Sequence, residues 1–300
     1  MIDLVAQKAL APIHLGVLRS PHGLWVAEGK IYFTAEANKI IGRYDPAAQQ
    51  IDWLLGLGKD RTHMIVVSQD AKRIYTSNVN SDTISLIEPG SGPTGAGRGP
   101  GPSGPPGQGG PGGPGEGGRP PGGPDGQSGP GKPPGIGGGP AGPPFGPPGG
   151  GGWSATHVVV GKGPEGFDMS PDGKEVWAAN SHDGTVSIID LSKKSVVQTL
   201  NVATRMSNRL KFTPDGKFVF ISDLAGRDLV VLEAGARKEL KRIALGGGAA
   251  GILMQPDGAK AYVAVGSENG VTIIDLKTME AAGHIETGPG PDGLSWAAKE

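Results

Sequence analysis

The chain has 300 residues, a formal net charge of −1 and no cysteine. The near-neutral balance provides no general attraction to nucleic acid or to an anionic membrane, and the lack of cysteine excludes disulfides, thiolate metal sites and cysteine nucleophiles. Its 55 Gly and 28 Pro are unevenly spread, with 29 and 18 of them in residues 91–152, so the remaining 238 residues have an ordinary globular composition and enough length for a sizeable core.

No run of eighteen apolar residues is present, and the amino terminus shows no basic region followed by an apolar stretch, so neither a membrane-spanning helix nor a signal peptide can be read. In chain order, Ile2-Asp3-Leu4 reads as the end of one strand and Ala9 to Leu15 as the next. From there a unit of about forty residues recurs. Its clearest marker is the acidic residue closing an alternating apolar run: Asp3, Asp45, Glu88, Asp190, Glu233 and Asp275, at spacings of 42, 43, 102, 43 and 42. Setting aside the 62 residues of 91–152 reduces the odd interval to 40, so that segment is an insertion inside one repeat and not a linker between domains.

The unit is plainest from Pro164 to Leu200. Gly166 to Met169 reads as a first strand, Pro171-Asp172-Gly173 as a tight turn and Glu175 to Ala179 as a second strand. A loop from Asn180 to Gly184 leads to a third strand, Thr185 to Leu191, and a fourth, Ser195 to Val202. The turn recurs as Pro214-Asp215-Gly216 and Pro256-Asp257-Gly258, and in weaker form as Ser68-Gln69-Asp70. Four short antiparallel strands repeating at this interval predict an all-β fold, a β-propeller. Residues 1–90 and 153–300 form its single domain, with the fourth strand of the second whole blade starting near Trp153 after the insertion. Pro291 to Trp296 reads as one more first strand, giving five complete blades and a fragment at each end.

The motifs Pro164-Glu165-Gly166, Ser170-Pro171-Asp172-Gly173, Val176-Trp177-Ala178-Ala179-Asn180 and Val186 to Asp190 resemble those of the YVTN-type, or YncE-like, propeller repeat family. The resemblance spans nearly everything outside the insertion. It implies seven blades in a full-length member, and with them an upstream segment of about one blade preceded by an export signal, hence an extracytoplasmic protein. A compact six-bladed ring is the alternative. Members of the family have diverse roles, so the motifs specify the fold more than an activity.

Residues 91–152 cannot bury enough apolar surface to offset chain entropy and are expected to be disordered spacer. Glycine keeps a collagen-like register from Gly101 to Gly113, but Glu116 breaks it. The insertion joins third to fourth strand and therefore lies on the face of the Pro-Asp-Gly turns, which leaves the opposite face open.

On that opposite face the residues preceding each first strand should ring the channel mouth. The column reads His22, His63, Glu165, Asn208, Ala250 and Asp292, with Arg61 and Arg209 alongside as anion contacts. Five of these six ring positions carry nitrogen or oxygen ligands, so a divalent metal held by His22, His63 and Glu165, or a small acidic ligand, is one expectation, and simple hydration of a wet channel is the other. A second column, Glu36, Asn78, Asn180, Asp223 and Val265, is expected to cap turns. Asn78-x-Asn80-x-Asp82 opens like a calcium loop but has Thr83 and Pro89 where glycine and glutamate belong, and no catalytic signature such as H-E-x-x-H or G-x-S-x-G occurs.

The leading expectation is a monomeric, non-catalytic binding or scaffold propeller for an unknown protein or small-molecule ligand. A metal-dependent, lactonase-like hydrolase is the first alternative. Nucleic-acid binding is the second, and the charge argues against it.

Overall fold

A computed structural model describes residues 2–3, 8–9, 11–90 and 152–295. A short pair, β1 (Ile2–Asp3) with β2 (Lys8–Ala9), is followed by five four-stranded antiparallel sheets. The first contains β3 (Pro21–Ala27), β4 (Lys30–Ala35), β5 (Ile40–Asp45) and β6 (Gln50–Gly56). The second contains β7 (Thr62–Val67), β8 (Ile74–Asn78), β9 (Thr83–Pro89) and β10 (Trp153–Val159). The third contains β11 (Pro164–Met169), β12 (Glu175–Asn180), β13 (Thr185–Asp190) and β14 (Ser195–Asn201). The fourth contains β15 (Ser207–Phe212), β16 (Phe218–Asp223), β17 (Asp228–Glu233) and β18 (Lys238–Ala244). The fifth contains β19 (Ala249–Met254), β20 (Lys260–Val265), β21 (Gly270–Asp275) and β22 (Glu280–Glu286).

The first strands of successive sheets, β3, β7, β11, β15 and β19, lie against one another in that order, so the sheets are the blades of a β-propeller. The second, third and fourth blades bury apolar residues on both faces because each lies between two neighbours. Trp177 packs edge-on against Phe212 of the next blade at 5.5 Å, and Phe220 joins Val231, Ile252 and Val263 between the fourth and fifth blades. Trp53 and Trp153 meet at 5.4 Å between the first and second. Removing a buried aromatic of this kind costs about 3–5 kcal/mol.

The recurring acidic and turn residues act locally. Asp172 Oδ1 accepts from Ser170 Oγ and Lys174 N, and Gly173 supplies the positive φ of +70° that closes the first hairpin. Asp190 Oδ1 accepts from Ser192 N, Ser192 Oγ and Lys193 N, which stabilise the carboxylate and draw its pKa down to about 2. Asp45 and Asp275 cap the corresponding turns of their blades in the same way.

Trp153 pairs with Pro89 and Gly90 N donates to Gly152 O, so the chain leaves β9 and re-enters at β10 within one blade. The expectation of disorder for residues 91–152 falls, but for Gly152, outside the described residues.

Two expected strands are corrected. Residues 11–15 form none: Pro12 has no N–H to donate, and Ile13, Leu15 and Leu18 instead cover Phe33, Ala35, Tyr44 and Leu54 on the first blade. Residues 291–295 also form none, although the Asp292 carbonyl packs against Gly251 where a following first strand would lie. Pro291 lacks a donor, and among the described residues no strand pairs with this segment. Among the described residues no helix is long and apolar enough to cross a membrane.

Candidate functional site

In every blade the pairing of first and second strands slips at one place: between Pro21 and Leu24, Thr62 and Ile65, Pro164 and Phe167, Ser207 and Leu210, and Ala249 and Ile252. The ring residues His22, His63, Glu165, Asn208 and Ala250 all fall inside these slips. A bulge breaks the ladder and re-aims a side chain, so the same irregularity, repeated, turns this column away from its blade.

A bulge also leaves a backbone N–H without a ladder partner, and hydroxyls on second strands take that place. Thr34 Oγ1 accepts from Gly23 N, Ser77 Oγ from Met64 N at 3.2 Å, and Ser222 Oγ from Arg209 N at 2.9 Å. Glycine fits at position 23 because an added Cβ would lie 2.5 Å from His63 O and 2.9 Å from Ile65 N on the neighbouring blade.

His63 is the centre of the site and is 3% exposed. Its Nδ1 meets Glu36 Oε1, and its Nε2 lies 2.8 Å from Glu165 Oε2. The His22 ring stacks on it with centroids 3.7 Å apart and planes 28° apart. Arg61 spans both carboxylates, with Nη2 3.2 Å from Glu165 Oε1 and Nε 3.9 Å from Glu36 Oε1. Three blades therefore contribute to one cluster of two imidazoles, two carboxylates and a guanidinium.

Desolvation, helped by the neighbouring His63, lowers the His22 pKa below 6.5 despite Glu36 nearby. For Glu165, burial pushes the pKa up, but the bond to His63 and the charges of His63, Arg61 and Arg209 outweigh it, and the net shift is downward.

His22, Glu36 and His63 each offer one ligand atom, all within 4.8 Å of one another. Two imidazoles and a carboxylate suit zinc, manganese and similar ions. Were His63 Nδ1 to hold such an ion, Glu165 at Nε2 would be the outer carboxylate contact that fixes the imidazole. The expected set of His22, His63 and Glu165 is thus rearranged. Glu165 lies on the far nitrogen of His63, and Glu36 takes the place beside the two rings.

Glu36 belongs to the column read as turn caps. Asn78, Asn180 and Asp223 in that column do hydrogen-bond within their own blades, Asn78 Nδ2 to Ser85 Oγ at 2.8 Å and Asp223 Oδ2 from Arg205 N at 2.8 Å. Glu36 differs because its longer side chain reaches across to the next blade. Its sequence signal was the single glutamate in a column of shorter side chains, Asn78, Asn180, Asp223 and Val265.

The other ring positions do not join this cluster. Asn208 and Asp292 line a separate cleft between the fourth and fifth blades, and Ala250 forms part of its wall. Arg209 Nη2 lies 3.7 Å from Asp292 Oδ1, and its Nη1 donates to Asn208 O at 3.1 Å. Both arginines expected to face anions are therefore engaged by carboxylates of the protein itself.

No protein-family model and no curated protein matches the chain. Solved structures do. A streptogramin B lyase structure superposes with a TM-score of 0.62 over 92% of this chain and 72% of that one, at 11% identity. A functionally unknown protein from Desulfotomaculum acetoxidans gives a TM-score of 0.60 over 91% and 76%, at 10% identity. At such identities the likeness concerns the fold, and it agrees with the propeller architecture.

Proposed function

We propose that this propeller is a binding protein that holds a divalent cation at its channel mouth between His22, Glu36 and His63 and presents it to a ligand. The observation that carries the reading is the convergence of one ligand atom from each of these residues within 4.8 Å, with Glu165 on the remaining nitrogen of His63. The donor set favours zinc or manganese over calcium. Calorimetric titration of the metal-stripped protein with each ion should show one site, and a His22→Ala, His63→Ala double variant should lose it. Absence of a stoichiometric site for any of the three ions would refute the proposal.

A catalytic reading uses the same centre, where two imidazoles and a carboxylate offer ligand atoms within 4.8 Å of one another. A bound cation would supply Lewis-acid activation of water or of a substrate oxygen, as in lactone hydrolysis. Metal-dependent turnover of a lactone panel, absent in the double variant, would support that reading over simple binding. The YVTN-type motifs support relationship to that repeat family and, with it, an extracytoplasmic setting, which fractionation of the native protein tests.

A further inference from the structure

The cleft between the fourth and fifth blades has a volume of about 430 Å³, within the range of small-molecule sites. Its lining combines Asn208, Leu224, Arg227, Ala250, Gly266 and Pro291. Two of these polar groups are unengaged. Among the described residues the Arg227 guanidinium has no hydrogen-bond or ion-pair partner, and the Asn208 side-chain amide makes no hydrogen bond, its Oδ1 being buried without a partner.

The Asn208 Nδ2 is left free to donate, and a cleft that brings this donor together with a free guanidinium is arranged for a ligand that engages both. The local charge favours an anion. Asp292 also lines the cleft but is 3.7 Å from Arg209, so the pair is balanced and Arg227 remains the uncompensated charge. Leu224, Ala250 and Pro291 supply an apolar wall, and the small side of the cleft at Gly266 keeps it open.

We propose that this cleft binds a small organic acid. Its carboxylate pairs with Arg227, its apolar body lies against Leu224, Ala250 and Pro291, and a polar substituent next to the carboxylate bonds to the Asn208 amide. The site is distinct from the cation centre and needs no metal.

The test uses the full chain in EDTA, so that failure of the cation proposal leaves its result untouched. Mandelate is the probe, with phenylacetate lacking the hydroxyl and mandelamide lacking the charge, and binding is followed by saturation-transfer NMR and calorimetry. Mandelate should bind saturably, phenylacetate several-fold more weakly, and mandelamide not measurably.

Arg227→Ala should weaken mandelate about tenfold or more, the loss expected for a charge-assisted hydrogen bond. Asn208→Ala should abolish the difference between mandelate and phenylacetate. Gly266→Val should block the cleft; an added Cβ there meets nothing closer than 3.5 Å, so the backbone accommodates it. No saturation by mandelate up to about 10 mM would overturn the proposal, as would equal binding in wild type, Arg227→Ala and Gly266→Val. A cooperative denaturation transition in Arg227→Ala matching that of the wild type shows that the variant is folded.

Discussion

The Thr34 hydroxyl donates to the His63 carbonyl at 2.8 Å while accepting from the Gly23 N–H at 2.8 Å, so one side chain closes the bulge of its own blade and holds the central histidine of the next. Ser77 repeats the relay one blade on, donating to the Glu165 carbonyl at 2.9 Å. The side chains of the site are therefore positioned by hydroxyls that touch none of its chemistry.

Thr34→Val removes both bonds and leaves a buried donor and acceptor unpaired, Thr34 being fully buried. The expected loss is about 2 kcal/mol in guanidinium denaturation, together with weaker cation binding as His63 loses its anchor. Thr34→Ser keeps the hydroxyl and should restore most of both. Equal stability of the valine and serine variants would contradict the relay.

Gly23→Ala tests the same junction from the other side. The new Cβ would meet His63 O at 2.5 Å, Ile65 N at 2.9 Å and Met64 Cα at 3.0 Å, all backbone atoms that cannot swing away. Prising the first and second blades apart should cost about 3 kcal/mol. Gly56→Ala is the control, since nothing lies within 4 Å of its added Cβ, and it should be neutral or slightly stabilising.

Most of the architecture could be read in the sequence because its signals are local. The acid closing the third strand, as at Asp190, caps the turn that follows it, and the Asp172-Gly173 turn needs both its carboxylate and its positive φ. Such contacts lie within a few residues and repeat with the unit. The alignment of His22, His63, Glu165, Asn208 and Ala250 was legible for the same reason, as every blade carries its bulge at the same position. What could not be read was reach. Whether Glu36 caps its own turn or crosses to His63, and whether Asp292 joins the histidines or pairs with Arg209, depends on side-chain length and inter-blade spacing, which no single repeat encodes. The strand expected at 11–15 failed similarly, because Ile13 and Leu15 find their apolar partners on the face of the first blade instead of in a ladder.

Glu165→Gln keeps the shape of the side chain and removes its charge from His63 and Arg61. Since this carboxyl titrates below its ordinary value of 4.5 in the folded protein, its contribution is present above that value. It is lost as the pH falls through the lower folded value. Stability of the wild type should therefore drop below about pH 4.5 more steeply than that of the variant. Cation affinity at neutral pH should fall about 10- to 100-fold in Glu165→Gln, the usual effect of losing the carboxylate behind a ligating imidazole. Superimposable pH profiles of the two proteins would show that Glu165 is not ionised against His63.

His22→Phe separates the stack from the ligand. Phenylalanine can preserve the face-to-face contact with His63, now at 3.7 Å between centroids, but it offers no nitrogen to a cation. In the metal-free protein the folded state lowers the His22 pKa, so the unfolded chain takes up a proton first as the pH falls below 6.5. The wild type should then lose stability from about pH 6.5 down to the folded value and no further from this group, a segment that His22→Phe should lack. At pH 7, where the imidazole is mostly neutral in both states, the variant should be about as stable as the wild type yet bind the cation at least tenfold more weakly. Undiminished cation binding by His22→Phe would mean that the ring beside His63 is only packing, and that Glu36 and His63 do not share their ion with it.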